Sequence, residues 1–309
     1  ENEIYSNSSG SYDVIYSYHE DYNSIIEENY IEHSGSSSAI YGMNLLISNN
    51  RIVGHNSNSY AIKINGPEEL TKISNNIITT SGNGLWIYGG GFDIDYNIID
   101  CDGLGIDILY HSFLTIKNNT MIGNGDNLAI MMNEDSDISI INNIISNFGT
   151  GINTQSAIQE IQNNAFWENE YDVADDLAPP LIPENLGVWG CPTCPTNNNG
   201  DLCDPHGNIF LDPLFFNTPI LFLDSLFNED YHIPQNSPCV DAGDEEYTDA
   251  NGSLSDIGAY PAIWLNAYSD APGTVTFEWL PSFSDSLAYY DLDYRQLDWE
   301  DYQDLFEFA

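Results

Sequence analysis

Seven asparagines recur between residues 29 and 164 of the chain, Asn29, Asn50, Asn76, Asn97, Asn119, Asn143 and Asn164, at intervals of 21, 26, 21, 22, 24 and 21 residues. An isoleucine stands three positions before every one of them: Ile26, Ile47, Ile73, Ile94, Ile116, Ile140 and Ile161. Two positions after each stands another large apolar residue: Ile31, Ile52, Ile78, Ile99, Met121, Ile145 and Phe166. A period of 20 to 50 residues with invariant apolar positions is the mark of a repeat architecture.

A second apolar pair falls nine and eleven residues after most anchors, as Leu85 and Ile87, Ile106 and Ile108, Leu128 and Ile130; the longest interval moves it to Ile62 and Ile64. Each unit therefore reads as three short strands with period-two alternation, separated by Asn or Gly bends. Helical spacing is not sustained, and β-branched residues dominate. A unit of this size cannot bury its apolar face alone, so successive units must stack, each strand pairing in parallel with its counterpart ~4.8 Å away. The expected fold is all-β, a right-handed parallel β-helix of about 22 residues per coil, because parallel crossovers are overwhelmingly right-handed. Asparagine at each bend tolerates a left-handed backbone, and its amide can bond to the same amide in the coils above and below. Ile4, three before Asn7, extends the expected repeat to the first residues.

There are 48 acidic residues against five basic ones, a formal net charge of −43. Such a surface repels nucleic-acid phosphates and anionic lipid headgroups. It suits salty water or bound cations. No apolar run approaches the ~20 residues that span a bilayer. The chain starts "ENEIYSNSSG", which points to a mature secreted protein or a portion of a longer one.

The repeats resemble those of right-handed parallel β-helix proteins of the pectin-lyase-like superfamily over residues 1 to 265. "NIFLDPLF", "DYHIPQNSPCVDAGD" and "ANGSLSDIGAY" are similar to the closing region of secreted bacterial β-helix repeat proteins. The expected organisation is 1-170 as β-helix coils, 171-207 as a Pro/Cys-rich excursion, and 208-265 as final irregular coils. Residues 272-309 resemble an incomplete fibronectin type III domain, with one strand centred on Trp279 and a second from Tyr290 to Arg295. The resemblance implies an extracellular or cell-surface location. It leaves activity open, since the superfamily includes lyases, hydrolases, epimerases, adhesins and inert scaffolds.

Enzymes of this superfamily commonly work in the groove over one sheet. The offsets place Ala39 and Tyr41, Lys63 and Asn65, Trp86 and Tyr88, Asp107 and Leu109, Ala129 and Met131, and Asn153 and Gln155 outward there. Asp107 is the one carboxylate in that row, whereas glycoside hydrolysis normally needs two; Asp102 or Asp93 would have to swing close. Trp86, Tyr88 and Tyr41 form an aromatic strip suited to sugar rings, or simply cover the sheet. Cys191, Cys194, Cys203 and His206 have a spacing compatible with zinc; in a secreted chain disulfides among Cys191, Cys194, Cys203 and Cys239 are the stronger reading. The Asp-Pro-His of "CDPHG" is similar to that of alginate epimerases, but it lies off the groove and is followed by Gly207. Two loops, "NNNGDLCD" and "DANGSLSD", share alternating oxygen side chains about a glycine: Asn197, Asn199, Asp201 and Asp204 in one, Asp249, Asn251 and Asp256 in the other. That pattern suits calcium, or equally an Asn-Gly turn with solvated acids.

These features favour a non-catalytic extracellular β-helix scaffold or adhesion module, with carbohydrate or further copies of itself as partners and end-to-end stacking into filaments. The alternative is a polysaccharide-active enzyme or a glycan-binding module.

Overall fold

The computed structural model describes residues 2–6, 13–18, 24–66, 70–132, 137–154, 158–175, 195–215, 231–249, 252–260, 265–268 and 276–279. The strands immediately after the anchors, Asn29–His33, Arg51–Gly54, Ile77–Thr80, Ile98–Cys101, Thr120–Ile122, Ile144–Ser146 and Ala165–Trp167, pair in parallel in chain order. Asn2–Ser6 precedes them, so this anchor sheet has eight strands. A second sheet of thirteen strands wraps the other two faces. Its groove face carries Ile15–Tyr18, Ile40–Met43, Tyr60–Asn65, the first part of Asn83–Asp95 and of Ile106–Lys117, then Leu128–Met132, Thr150–Thr154 and Tyr171–Asp175. Its third face carries Ser24–Glu27, Leu45–Ser48, Leu70–Ser74, the second part of those two long strands, Asp137–Ile141 and Ile158–Gln162. The chain is thus a right-handed parallel β-solenoid.

Alternation turns one isoleucine column from each face inward. Ile31, Ile52, Ile78 and Ile99 from the anchor sheet, Ile40, Ile62, Leu85 and Ile106 from the groove face, and Ile47, Ile73, Ile94 and Ile116 from the third face are all essentially without solvent contact. Full burial of one such side chain contributes about 1.5–3 kcal/mol.

The asparagines complete the frame. The Oδ1 of Asn97 accepts from both the backbone N–H (3.0 Å) and the Nδ2 (3.0 Å) of Asn76. The same two bonds recur from Asn29 to Asn50, Asn50 to Asn76, Asn97 to Asn119, Asn119 to Asn143 and Asn143 to Asn164. Each Nδ2 also donates to backbone carbonyls, as Asn76 does to Ile47 and Ser74. The left-handed backbone belongs to a different residue, the one before each anchor: Glu28, Asn49, Asn75, Tyr96, Asn118, Asn142 and Asn163 all have φ between 51° and 58°. In each Asn-Asn pair the first residue makes the turn and the second makes the ladder.

The structure corrects three expected positions. Asn2, not Asn7, is the register partner of Asn29, and Ile4 pairs with Ile31; Asn7 lies outside the described residues. In the coil with the 24-residue interval, Ile106 pairs with Ile130 and Ile108 with Met132, so the inward pair is Ile130 and Met132, and Leu128 sits at the strand's start beside Thr150. The two extra residues are taken up by the bend around Gly125, whose φ is 96°. Ala39 and Ala129 are buried rather than outward. They occupy a corner where neighbouring coils carry Gly84 and Gly105, and a Cβ on Gly105 would come 2.4 Å from the Ala129 carbonyl oxygen.

Beyond the coils, residues 231–249 and 252–260 run back along the outside of the anchor bends. Asn118 Nδ2 donates to the Asp256 carbonyl (3.1 Å), Asn142 Oδ1 accepts from Asp244 N–H (2.9 Å), and Asn163 Nδ2 donates to the Ala242 carbonyl (3.3 Å). Ile144, Ala165, Cys203, Ile209, Ile233, Cys239, Ala242 and Ile257 form a second buried cluster beneath this strap. Leu265–Tyr268 pairs antiparallel with Thr276–Trp279; residues 290 to 295 lie outside the described residues.

The division within the asparagine pair predicts opposite outcomes for neighbouring substitutions. Asn76→Ala, which strands the buried donors of Asn50, should cost on the order of 3 kcal/mol in urea unfolding. Asn75→Gly should change stability by less than about 1 kcal/mol, because glycine adopts the left-handed backbone freely.

Candidate functional site

The groove face presents two outward rows. Register places Tyr16, Tyr41, Lys63, Trp86, Asp107, Met131, Asn153 and Ala174 in one, and Tyr18, Met43, Asn65, Tyr88 and Leu109 in the other. Gln155 lies outside the described residues. Tyr41, Trp86, Tyr88 and Asp107 therefore share this face, and the structure adds Tyr16, Tyr60 and Tyr110 to them.

The rings are ordered against one another. Tyr16 stacks on Tyr41 with centroids 5.5 Å apart and planes 19° apart. Trp86 stacks on Tyr88 at 5.4 Å and 21°, and Tyr88 tilts against Tyr110 at 5.0 Å. Asn65 Nδ2 donates to the Tyr41 hydroxyl (3.0 Å). Lys63 sits over the Tyr60 ring, 5.3 Å from its centroid. Tyr16 is 65% exposed, Tyr88 41% and Tyr110 59%. This is an open platform of aromatic faces and edges, the form of surface that stacks on planar or ring-shaped ligands.

Tyr110 is held at φ 57°, where the neighbouring coil has Gly89 at φ 63°. A left-handed backbone costs a residue with a Cβ roughly 1–2 kcal/mol. Tyr110 makes this bend in the same left-handed conformation as the anchor bends, with its ring against Tyr88.

Asp107 is only 8% exposed despite pointing outward, because Tyr60 leans across the rung of Trp86 and donates its hydroxyl to Asp107 Oδ2 (2.8 Å). Burial raises the Asp107 pKa, and the Tyr60 hydrogen bond partly opposes that rise. Burial, with the adjacent carboxylate, also drives the Tyr60 phenol well above its ordinary value. Asp107 Oδ1 is buried without a hydrogen-bond partner. The register neighbours of Asp107 are Trp86 and Met131, and no second carboxylate lies in either described row. Asp93 is on the third face opposite Lys72 and Thr115, and Asp102 follows the anchor strand, its N–H bonded to the Thr80 carbonyl.

The two Asn-Gly loops are matched turns. Thr196 bridges Leu202 and Thr248 bridges Leu254, while Gly200 and Gly252 sit at φ 85° and 83°. Asn197 Oδ1 accepts from the N–H groups of Asn199 and Asp201. Asn199 Nδ2 reaches the Val240 carbonyl, and Asp201 and Asp241 line a cleft of about 580 Å³. Asn251 lies outside the described residues.

Asp204 has a separate role. Asn208, 44 residues after Asn164, adds an eighth rung: its Oδ1 accepts the backbone N–H and Nδ2 of Asn164. Its own backbone N–H and Nδ2 then pass to Asp204 Oδ1 and Oδ2, both at 2.9 Å. Asp204 is thus the terminal acceptor of the ladder. The repeat spacing conceals Asn208, because two coil lengths separate it from Asn164 and a proline, Pro205, stands where isoleucine is expected.

Among the described residues, Cys203 and Cys239 are free thiols, and Cys191 and Cys194 lie outside the description. Burial pushes the Cys239 thiol up to about 12. His206 lies in a turn with its N–H bonded to Asp204. Among the described residues no three His, Cys, Asp or Glu side chains form a group able to hold a metal ion, and calcium finds no support.

Comparison with known families gives two matches. The family described as right handed beta helix region matches residues 1–129, and the family described as periplasmic copper-binding protein (NosD) matches residues 89–178. No curated protein and no solved structure matches the chain. The coils and the first match agree that this is a β-helix repeat protein. Among the described residues, no helix is long and apolar enough to cross a membrane.

Two measurements test the acidic loops. Asp204→Ala should lower stability by about 2 kcal/mol to the same extent in calcium and in chelator, as a ladder cap requires. The Asp249 pKa is raised to about 7, by burial first and then by the Asp256 carboxylate. The folded state therefore holds this proton more tightly than the unfolded chain, so stability from this group falls as pH rises from about 4 to about 7. Asp249→Asn should flatten that fall in a Tm-versus-pH series.

Proposed function

We propose that this chain is a non-catalytic β-helix module, periplasmic or extracellular, that holds carbohydrate along its groove face. The observation that carries this reading is the ordered series of partly exposed rings, Tyr16 on Tyr41 and Trp86 on Tyr88 with Tyr110 against it. Rungs ~4.8 Å apart approximate the length of one sugar unit, so a glycan lying along the solenoid axis meets a new side chain at each coil. The solitary carboxylate in the described rows supports binding over hydrolysis, which normally uses a pair.

The location is supported by the description of the second family as periplasmic, and the net charge of −43 suits an ion-rich exterior. Copper is not carried over. It is held by imidazole, thiolate and thioether ligands, and within the matched span Cys101 is buried with its thiol pushed up to about 12 and Met121 and Met132 are sealed in the core, which leaves Met131 as the one thioether of that span on the groove face among the described residues, with no His, Cys, Asp or Glu cluster able to hold a metal beside it. A fibronectin-like continuation after residue 272 would give such a module a tether.

Affinity electrophoresis through gels containing soluble glycans tests the reading. Retention should be seen for the native chain and should weaken roughly tenfold in Trp86→Ala, as loss of one stacked aromatic implies, with Tm unchanged. A native chain that migrates freely through every glycan gel would sink it.

A further inference from the structure

We infer that the groove is selective for sugars carrying a free, protonated amine, with Asp107 as the group that recognises it. The inference rests on the carbohydrate reading above and names the ligand class.

Four observations converge on Asp107. It alternates with inward Ile106 and Ile108, so its carboxyl points onto the groove face. It is 92% removed from solvent by its 8% exposure, and Tyr60 satisfies only Oδ2. Oδ1 is left without a partner. An unpaired buried carboxylate oxygen is costly, and an ammonium that donates to it removes that cost. Finally, Trp86 lies one rung away, stacked on Tyr88 and ready to take the face of the same sugar ring.

Charge decides which ring is accepted. With −43 over the chain, a uronate polymer meets repulsion on approach, whereas a cationic one is drawn in. A neutral sugar can donate a hydroxyl to Oδ1, but only an ammonium adds the strength of a charge-assisted bond. The cation in the row, Lys63, lies beyond Trp86 and is occupied over the Tyr60 ring, away from Oδ1. Tyr60 thereby separates the two charges: its ring faces the lysine and its hydroxyl orients the carboxylate.

Isothermal titration at mildly acidic pH, where the glucosamine amines carry their protons, with glucosamine, N-acetylglucosamine and galacturonate oligomers of equal length tests this. The native chain should prefer the glucosamine oligomer over its acetylated counterpart by about tenfold or more, a charge-assisted bond's contribution. Asp107→Asn, nearly isosteric and still able to accept from Tyr60, should bring that ratio close to one. Equal affinities for the amine and the acetylated oligomers, or tightest binding of galacturonate, overturns the amine assignment and leaves carbohydrate binding standing. A ratio unchanged in Asp107→Asn overturns the role of Asp107. No heat with any oligomer overturns both. Because acetylation alters only the ligand, the first comparison holds even if the variant fails to fold.

Discussion

A buried side-chain amide must find its hydrogen bonds inside the protein, and that requirement organises this molecule. Asn76, Asn97, Asn119, Asn143 and Asn164 are fully removed from water. Each donates its backbone N–H and one Nδ2 bond forward to the next coil's amide, spends its other Nδ2 bonds on backbone carbonyls, and offers one oxygen backward to two donors. A coil slipped by one residue would bury an apolar side chain in the amide column and turn its isoleucines to solvent, because strand alternation has a period of two. The amide column therefore fixes register, and the isoleucine columns supply the burial energy.

Separating turn from ladder within each Asn-Asn pair frees the first residue for other work. In the later coils, Asn118, Asn142 and Asn163 spend their outward amides on the backbone of the returning strap. The strap in turn covers Ile98 and Ile144, which would otherwise present apolar surface outside the solenoid. The groove face is spared, and it is where the rings and Asp107 gather.

The coils were legible because a solenoid writes the same contact many times. Isoleucine before each anchor and a large apolar residue after it told both sheet faces apart, and Trp86, Tyr88, Tyr41 and Asp107 fell on the groove as their offsets required. Failures came where the spacing changed. The bend at Gly125 shifted the inward pair by two, and the first coil is anchored at Asn2. Tyr60 and Tyr110 stand just outside the alternating pairs, so no offset marks them. The strap was illegible for a different reason: its bonds join side-chain amides to backbone groups across separations of 79 to 138 residues, and backbone carbonyls leave no trace in a sequence.

The ladder also has a polarity. Every amide in the column points its oxygen toward the earlier coil and donates from Nδ2 to the amide of the later one, while its remaining donor bonds go to backbone carbonyls of its own and the earlier coil. The column is thus a row of aligned dipoles, akin to the peptide dipoles of a helix, with its positive end at Asn208. Asp204 sets a carboxylate on that end and consumes the last donors. Coils can be duplicated or deleted inside the column without altering either terminus, since each rung is replaced by a like rung. Past Asn208, Asp204 accepts the donors that a further amide would take, so the column closes at this end while its interior rungs remain interchangeable.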